Sequence, residues 1–535
     1  MKAEKARNLL VVVLPLLLRA LLSPFPHSGQ SGYHGSSTAY GGDFEAQRHW
    51  MEMTLHLPLS QWYKYDVTYW GLDYPPFIAY ASYGMGWLSQ KIVGIESVAL
   101  LSSRGFEDEN HKSFMRATVI AWDLIAYFPF VYLLSKRLGG PGSKGIAIFL
   151  TAVVQPALVL VDNGHFQYNQ VCLGLSLGAC HFMTLSDTIG VSDVIASVLF
   201  CLALNWKQMG LYYAPAVFSY LLGKCFHRSE NWRKTLVNIA ILGATVVGTF
   251  FLMFYPFYHF REQNESIFEV YGPIVQRLFP FSRGLFEGKV ANIWCLASTK
   301  PLSVRKHIPE NLQPLCALLL TILMCLPFCY NLFHLGRMGS KLSLHDKNSK
   351  VHTPPQHLQG LLWGMSGTSL SFFLASFQVH EKSILLPLAP ASMLLFDSPD
   401  VIQWFSLVCV WSLWHLLTID RLKVPYFIIV VLFFCIFNYV NTSDSNDSLK
   451  LPMPRRLKKT RVEGMTNIFI KAESSIIAMI TLHIAELLVT PPANLPDLFP
   501  LLWILKGCVS FIAMWCIGLT KTSMLIKKEE LVKED

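Results

Sequence analysis

The chain has 535 residues, 52% of them hydrophobic and only 15% charged, a balance too apolar for an ordinary soluble globular protein, and we read it as a polytopic membrane protein. Its net charge of +9 comes from Lys and Arg scattered between hydrophobic stretches, which excludes a basic nucleic-acid-binding domain. The 12 cysteines fall mostly in apolar runs, with no CxxC pair and no zinc-spaced cluster, so they read as small buried hydrophobes.

The first apolar run, 9–22, is interrupted by Arg19 and preceded by Lys2, Lys5 and Arg7. A signal peptide and a first membrane span both fit; no A-x-A-like cleavage site follows, so an uncleaved span is expected. A Gly/Ser-rich lead-in then leads to GGDFEAQRHWMEMTLHL at 41–57. Ala46, Trp50, Met53 and Leu57 recur on one helical face, with Glu45, Arg48, His49, Glu52 and His56 on the other. This pattern predicts an amphipathic helix lying on a membrane surface. Asp43 at its start is either an N-cap, a favoured role for Asp, or a functional carboxylate at the water boundary. YWGLDYPP follows around Asp73, and Pro75-Pro76 starts a second surface helix reaching into 77–93.

Further apolar segments at 114–134, 146–161, 171–185, 191–204, 209–223, 236–257, 315–335, 361–377, 384–396, 401–417, 424–440, 468–488 and 501–519 bring the expected total to about fourteen spans. The predicted organisation is a transmembrane region over 1–440 carrying non-spanning loops 23–113 and 258–314, a basic loop at 441–467, and a C-terminal pair of spans with its tail at 468–535. With the N-terminus in the cytosol, cytosolic segments hold about 24 Lys and Arg, against about 16 in opposite-side loops that are considerably longer. Both termini are then cytosolic. The same layout puts every chemically loaded loop on the non-cytosolic side: Asp43, Asp73, DNGHFQYN from Asp162, NWKQM at 205–209, the 258–314 loop, and VHEK at 379–382.

Each of these motifs has a plain alternative. Asp73 in DYPP can simply begin a helix. Asp162, His165 and Gln167 sit at a span end, where polar residues belong. Lys207, beside Gln208, costs a few kcal/mol near a bilayer unless it snorkels or pairs, and His380, Glu381 and Lys382 form a charged island between apolar runs. His380-Glu381 lacks the HExxH spacing of a zinc site. The 258–314 loop carries Arg261, Arg277, Arg283 and Lys289 among aromatics, suited either to binding phosphate or to lying at a lipid interface. It also holds the sequon Asn264-Glu265-Ser266.

Together, GDFEAQRHWMEMTLHLPLSQWY, YWGLDYPPFIAY, VDNGHFQYN, NWKQMGLYYAP, RLFPFSRGLFEGKVANIWC and SFQVHEKSILLPLAP, spread over 42–390, closely resemble the endoplasmic-reticulum glucosyltransferases of lipid-linked oligosaccharide assembly, of the GT-C class. GDFEAQRHW, Gly71, the NGHFQYN form with Gly164, and NWKQM resemble the branch that adds the first glucose. Asn163 departs from the His expected there, and the C-terminal third matches more in hydrophobicity than in motif. The resemblance implies an all-α GT-C fold with amphipathic luminal surface helices, in the endoplasmic-reticulum membrane, with its site facing the lumen. It implies transfer of glucose from dolichyl phosphate glucose to the 3-hydroxyl of a mannose on dolichyl-diphosphate-linked oligosaccharide, with inversion. Membrane lipid is the other expected partner, and nucleic acid is not one.

A phosphate leaving group needs no acid, so one carboxylate base suffices for such an inversion. Asp43 is the expected base, matching the family's acidic residue in the first luminal loop, and Asp73 is the second candidate. His380, Lys382, Arg283 and Lys207 are candidates to offset charge on the donor phosphate. Glu45, Arg48, Asp162, His165, Gln167 and Gln208 are candidates for holding substrate. The resemblance implies no metal cofactor, although Asp43 with Asp73 or Glu45 could hold a divalent cation. Three other readings compete: the branch adding the second glucose, a lipid or solute transporter, and a structural subunit with a decayed site. Transporters usually place charges near the midplane and repeat their halves; here the polar motifs gather at one face, with no internal repeat.

Overall fold

The computed structural model describes residues 2–30, 41–227, 231–279, 289–299, 303–339, 354–442 and 472–534. Every regular element among the described residues is helical. In a lipid environment each backbone N–H and C=O needs an internal partner, which a helix supplies within one segment. The protein is an all-α, multi-pass membrane protein.

A helix stands at each segment expected to span. Among the described residues six are long and apolar enough to cross a membrane: Glu109–Gly139, Ser143–Phe166, Trp232–His259, Gln313–Met338, Lys423–Val440 and Leu498–Lys527. Others are shorter or broken. The segment expected at 209–223 begins as a tight turn, Gln208–Tyr213, before the helix Ala214–Cys225. The one at 384–396 is reduced to Leu385–Ser392 after the tight turn Glu381–Ile384. The expected count of about fourteen full spans therefore exceeds the helices that cross by length alone. Burial separates centre from periphery: the apolar window of Ser143–Phe166 is 89% buried, that of Trp232–His259 only 6%. The latter turns Val247, Phe251 and Leu252 outward, a surface suited to acyl chains.

The first helix, Lys2–Ala20, packs Val11, Leu14, Leu16 and Leu18 on the core and is also tied to the body by a buried charge. Arg19, fully buried, donates to Asp123 Oδ2 at 2.8 Å, to Gln170 Oε1 at 2.7 Å and to the Val153 carbonyl at 3.0 Å. An unpaired charge this deep costs several kcal/mol, so Arg19 and Asp123 each require the other.

The helix expected on a membrane surface, Asp43–His56, is instead enclosed on both faces, with Phe44 through Thr54 buried. Its polar face is covered because it neutralises itself. Arg48 forks between Glu45, at 2.6 and 2.8 Å, and Glu52, at 2.8 Å, and also reaches Ser103 Oγ. Burial works against the Glu52 carboxylate, but bonds from His49 and the Arg48 charge hold its pKa down, to about 2. The apolar face packs on the helix Pro76–Ile92, where Gly86 admits the Met51 carbonyl that a Cβ would strike at 2.7 Å. That second helix starts at Pro76, as its Pro-Pro pair predicts, and leaves Tyr83, Trp87, Leu88 and Ile92 exposed on one side.

Residues 443–467 of the expected basic loop lie outside the described residues. The C-terminal helices Ala472–Leu488 and Leu498–Glu534 pack on the body, with Trp404 Nε1 donating to Ser475 Oγ and Trp411 stacked on Trp503 at 3.8 Å.

Candidate active site

Asp43 is the first residue of its helix, and Gly42 takes the N-cap place. The capping role is therefore not the one the carboxylate fills. Instead Oδ2 accepts from His165 Nε2 at 2.7 Å and from Lys382 Nζ. Among the described residues both side-chain bonds of Asp43 fall on that one oxygen. A quarter of the side chain stays exposed, and it is the least covered member of the cluster.

Each partner arrives from a break in a helix. His165 lies in the widened turn 159–166 that ends the central span. The chain reverses sharply after it, through Phe166 at φ +90°, an unfavourable value for a bulky residue that the surrounding packing must over-determine. Phe166 is buried between Phe44 and Tyr168, at ring distances of 4.9 and 5.5 Å. Gly164 lets Leu422 approach to where a Cβ would meet its Cδ1 at 3.1 Å. Two residues before Leu422 is Asp420, which no motif singles out. Its Oδ2 lies 2.5 Å from His165 Nδ1, with its side chain 1% exposed. Lys382 sits in the tight turn after Gln356–Ala375 and also lies 3.2 Å from His165 Nε2.

Lys207 ends the Val191–Trp206 helix and is buried. Its ammonium donates to Asn169 Oδ1 at 2.6 Å and Gln167 Oε1 at 3.3 Å, and lies 4.8 Å from the centre of the Tyr74 ring. Asn169 also donates to Asp162 Oδ1 at 2.7 Å, while Gln170 N meets Oδ2, so Asp162 is spent on holding this corner.

The electrostatics follow from these contacts. Burial opposes ionisation of Asp43, but the Lys382 charge and the bond from His165 outweigh it and hold its carboxyl well below the usual range. Burial opposes the Lys382 ammonium too, yet Asp43 and Glu381 raise its pKa. Among the described residues Lys207 has no ion pair this close, and burial, then the charge of Lys382, pull it down to about 8.

The other expected residues divide. Asp73 borders the cluster: its charge and that of Asp43 both act on the buried Tyr74 hydroxyl. Gln208 Nε2 donates to the Asp73 carbonyl at 3.1 Å, and Arg277 to the carbonyls of Gly71 at 2.6 Å and Leu72 at 3.2 Å, fixing that loop. A Cβ on Gly71 would meet the Val67 Cα at 2.9 Å as well as the Arg277 guanidinium at 2.8 Å, and the backbone contact, which cannot swing aside, accounts for glycine there. Glu45 and Arg48 belong to the ion-pair group inside the Asp43–His56 helix, where Tyr69 Oη also donates to Glu45 at 2.7 Å. Both Glu45 oxygens accept from these neighbours, with Gly105 N a further donor, while Asp43 is held by His165 and Lys382. His380 caps the turn that carries Lys382 and is exposed. Arg283 lies outside the described residues.

Comparison with known proteins matches residues 15–517 to the family described as "ALG6, ALG8 glycosyltransferase family". The dolichyl pyrophosphate Man9GlcNAc2 alpha-1,3-glucosyltransferase of Mus musculus is 38% identical over 94% of this chain and 94% of its own length. The protein of that name from Gallus gallus is 36% identical over 94% of each chain, and that from Saccharomyces cerevisiae 35% identical over 95% of this chain and 89% of its own. Both the Asp43 motif and the Asp420 turn lie within the matched residues, and the chain belongs to the ALG6, ALG8 glycosyltransferase family.

Proposed function

We propose that this protein is the α-1,3-glucosyltransferase that adds the first glucose to dolichyl-diphosphate-linked Man9GlcNAc2, with dolichyl phosphate glucose as donor. It acts in the endoplasmic-reticulum membrane, with the site facing the lumen and both termini in the cytosol. The observation that carries the reading is one quarter-exposed carboxylate, Asp43, held by the buried His165 ring and by the partly buried Lys382 ammonium. The named relatives, all acting on Man9GlcNAc2, supply the acceptor.

The chemistry follows from the ring. The mannose 3-hydroxyl attacks the anomeric carbon of the donor glucose, the C1–O bond to phosphate breaks, and the configuration inverts. Asp43 takes the hydroxyl proton through Oδ1, the oxygen turned away from His165 and Lys382. The phosphate leaves as a stable anion, so no general acid is needed. Lys382 and Lys207 offset its charge in a site with little water, where such interactions are strongest.

The test is glucose transfer from synthetic dolichyl phosphate glucose to a nine-mannose lipid-linked acceptor, by purified wild type and Asp43→Asn, with chelator present. Wild type should transfer one glucose, and the variant should fall by roughly 100-fold or more. Equal activity in both would move the base to Asp73. Transfer only to an acceptor already carrying one glucose would overturn the branch assignment.

A further inference from the structure

His165 stands between two carboxylates, Asp420 on Nδ1 at 2.5 Å and Asp43 on Nε2 at 2.7 Å, with its side chain 5% exposed. An ionised carboxylate only accepts, so a ring facing one at each nitrogen carries a proton on both. The charges then balance: Asp43 and Asp420 against His165 and Lys382. A neutral ring protonated at Nδ1 would point its Nε2 lone pair at the Asp43 carboxylate.

We propose that Asp420 is a positioning residue for the Asp43 base, acting through His165. By accepting from Nδ1, Asp420 fixes the ring and keeps Nε2–H aimed at Oδ2 of Asp43. That leaves Oδ1 as the oxygen that meets the acceptor hydroxyl. This rests on Asp43 being the base. Asp420 touches no reacting atom; it sits behind the ring, in the turn that Leu422 anchors against Gly164.

Other groups face this trio from every side. Lys382 donates to Asp43 from the Glu381–Ile384 turn, and its ammonium, 3.2 Å from His165 Nε2, works against the charge on the ring. Lys207 and Tyr74 sense the charge of Asp43, and Arg116, on the helix Glu109–Trp122, senses that of Asp420. Glu381 acts on Lys382, and Asp162 on Lys207. Substituting Asp420 leaves all of these in place and changes the ring. In Asp420→Asn the ring can become neutral while still donating from Nε2. Asp43 then loses a positive neighbour at 2.7 Å. The negative charge lost with Asp420 lies farther off, behind the ring, so the net effect is to make Asp43 easier to protonate.

The experiment compares wild type, Asp420→Asn, Asp420→Glu, His165→Gln and Asp43→Asn for thermal stability in detergent and for kcat and KM across pH. Asp420→Asn is expected to lower kcat about 100-fold, the scale of a misplaced reacting group, with the KM of donor and acceptor unchanged. Its acidic limb should move to higher pH. Asp420→Glu should recover part of kcat and return the limb toward wild type. His165→Gln, whose amide can still donate to Oδ2 but carries no charge, should move the limb the same way, and it keeps the proposal testable if Asp420→Asn does not fold. A folded Asp420→Asn with wild-type kcat and pH profile, alongside an inactive Asp43→Asn, would overturn this proposal while the base assignment stands. An active Asp43→Asn would overturn both.

Discussion

Lys382 and Asp43, 339 residues apart in sequence, meet at a single carboxylate oxygen, where the ammonium donates to Oδ2. The pair neutralises both groups, and it helps hold the Asp43 carboxyl well below the usual range. In the proposed reaction a donor phosphate entering beside Lys382 would compete for the same ammonium, and by drawing the lysine away it would make Asp43 a better proton acceptor. Lys382→Gln should therefore raise the donor KM at least about tenfold, the effect of losing one charged hydrogen bond, and leave the acceptor KM in place. Steady-state kinetics with each lipid varied in turn checks this; a donor KM equal to wild type would remove Lys382 from the phosphate site.

Lys207 offers a test by pH. Its ammonium is pulled down to about 8 by burial and by Lys382. A cation that offsets phosphate charge works only while protonated, so kcat/KM for the donor should fall as pH rises through about 8. Arg stays charged throughout this range, and Lys207→Arg should carry the plateau to higher pH at a reduced maximum. A basic limb unmoved by the substitution would assign it to another group.

Asp43, His165 and Lys382 are each visible in the sequence: Asp43 as an acid opening an amphipathic helix after a polar lead-in, His165 as a polar residue at a span end, and Lys382 as part of a charged island between apolar runs. Their convergence on one oxygen is not visible, since it depends on how segments 122 and 339 residues apart pack. Asp420 escapes because a lone acid in a turn between two apolar runs looks like ordinary punctuation. Its one signal is topological: the charge rule that gathers the other motifs on one side puts the 418–423 turn there as well. Arg48 and Glu45 mislead in the opposite direction. Their motif marks the family, and periodicity turns them outward, but reciprocal ion pairing lets a polar helix face be buried.

That burial separates a structural Arg48 from a substrate-binding one. Arg48 is 0% exposed and satisfies Glu45 and Glu52 together. Arg48→Met should lower stability by about 3–5 kcal/mol, because both glutamates are then left without their cation. The residual folded enzyme should keep a near wild-type KM for both substrates. Thermal unfolding in detergent, read alongside kinetics at a permissive temperature, checks this; a raised KM without a lower melting temperature would make Arg48 a substrate ligand.

Orientation can be tested through the Asn264 sequon. Asn264 lies between the peripheral helix Trp232–His259 and the helix Ile267–Leu278, with an exposed side chain and φ +72°. Ser266, the sequon hydroxyl, caps the second helix by accepting from Glu269 N. Glu265 accepts from Lys64, which ties this turn to the Asp43 side of the chain. Because the two are linked, the side of the membrane that holds Asn264 is the side that holds the candidate base. Oligosaccharide is attached in the lumen, so a glycan at Asn264 would place both there. The predicted result is an endoglycosidase-sensitive mobility shift that Asn264→Gln abolishes, while substitution of Asn441 or Asn446, which begin the sequons Asn441-Thr442-Ser443 and Asn446-Asp447-Ser448 in the 441–467 loop that the layout puts in the cytosol, changes nothing. A shift that survives Asn264→Gln and is lost with Asn446→Gln would invert the layout and put the site on the cytosolic face.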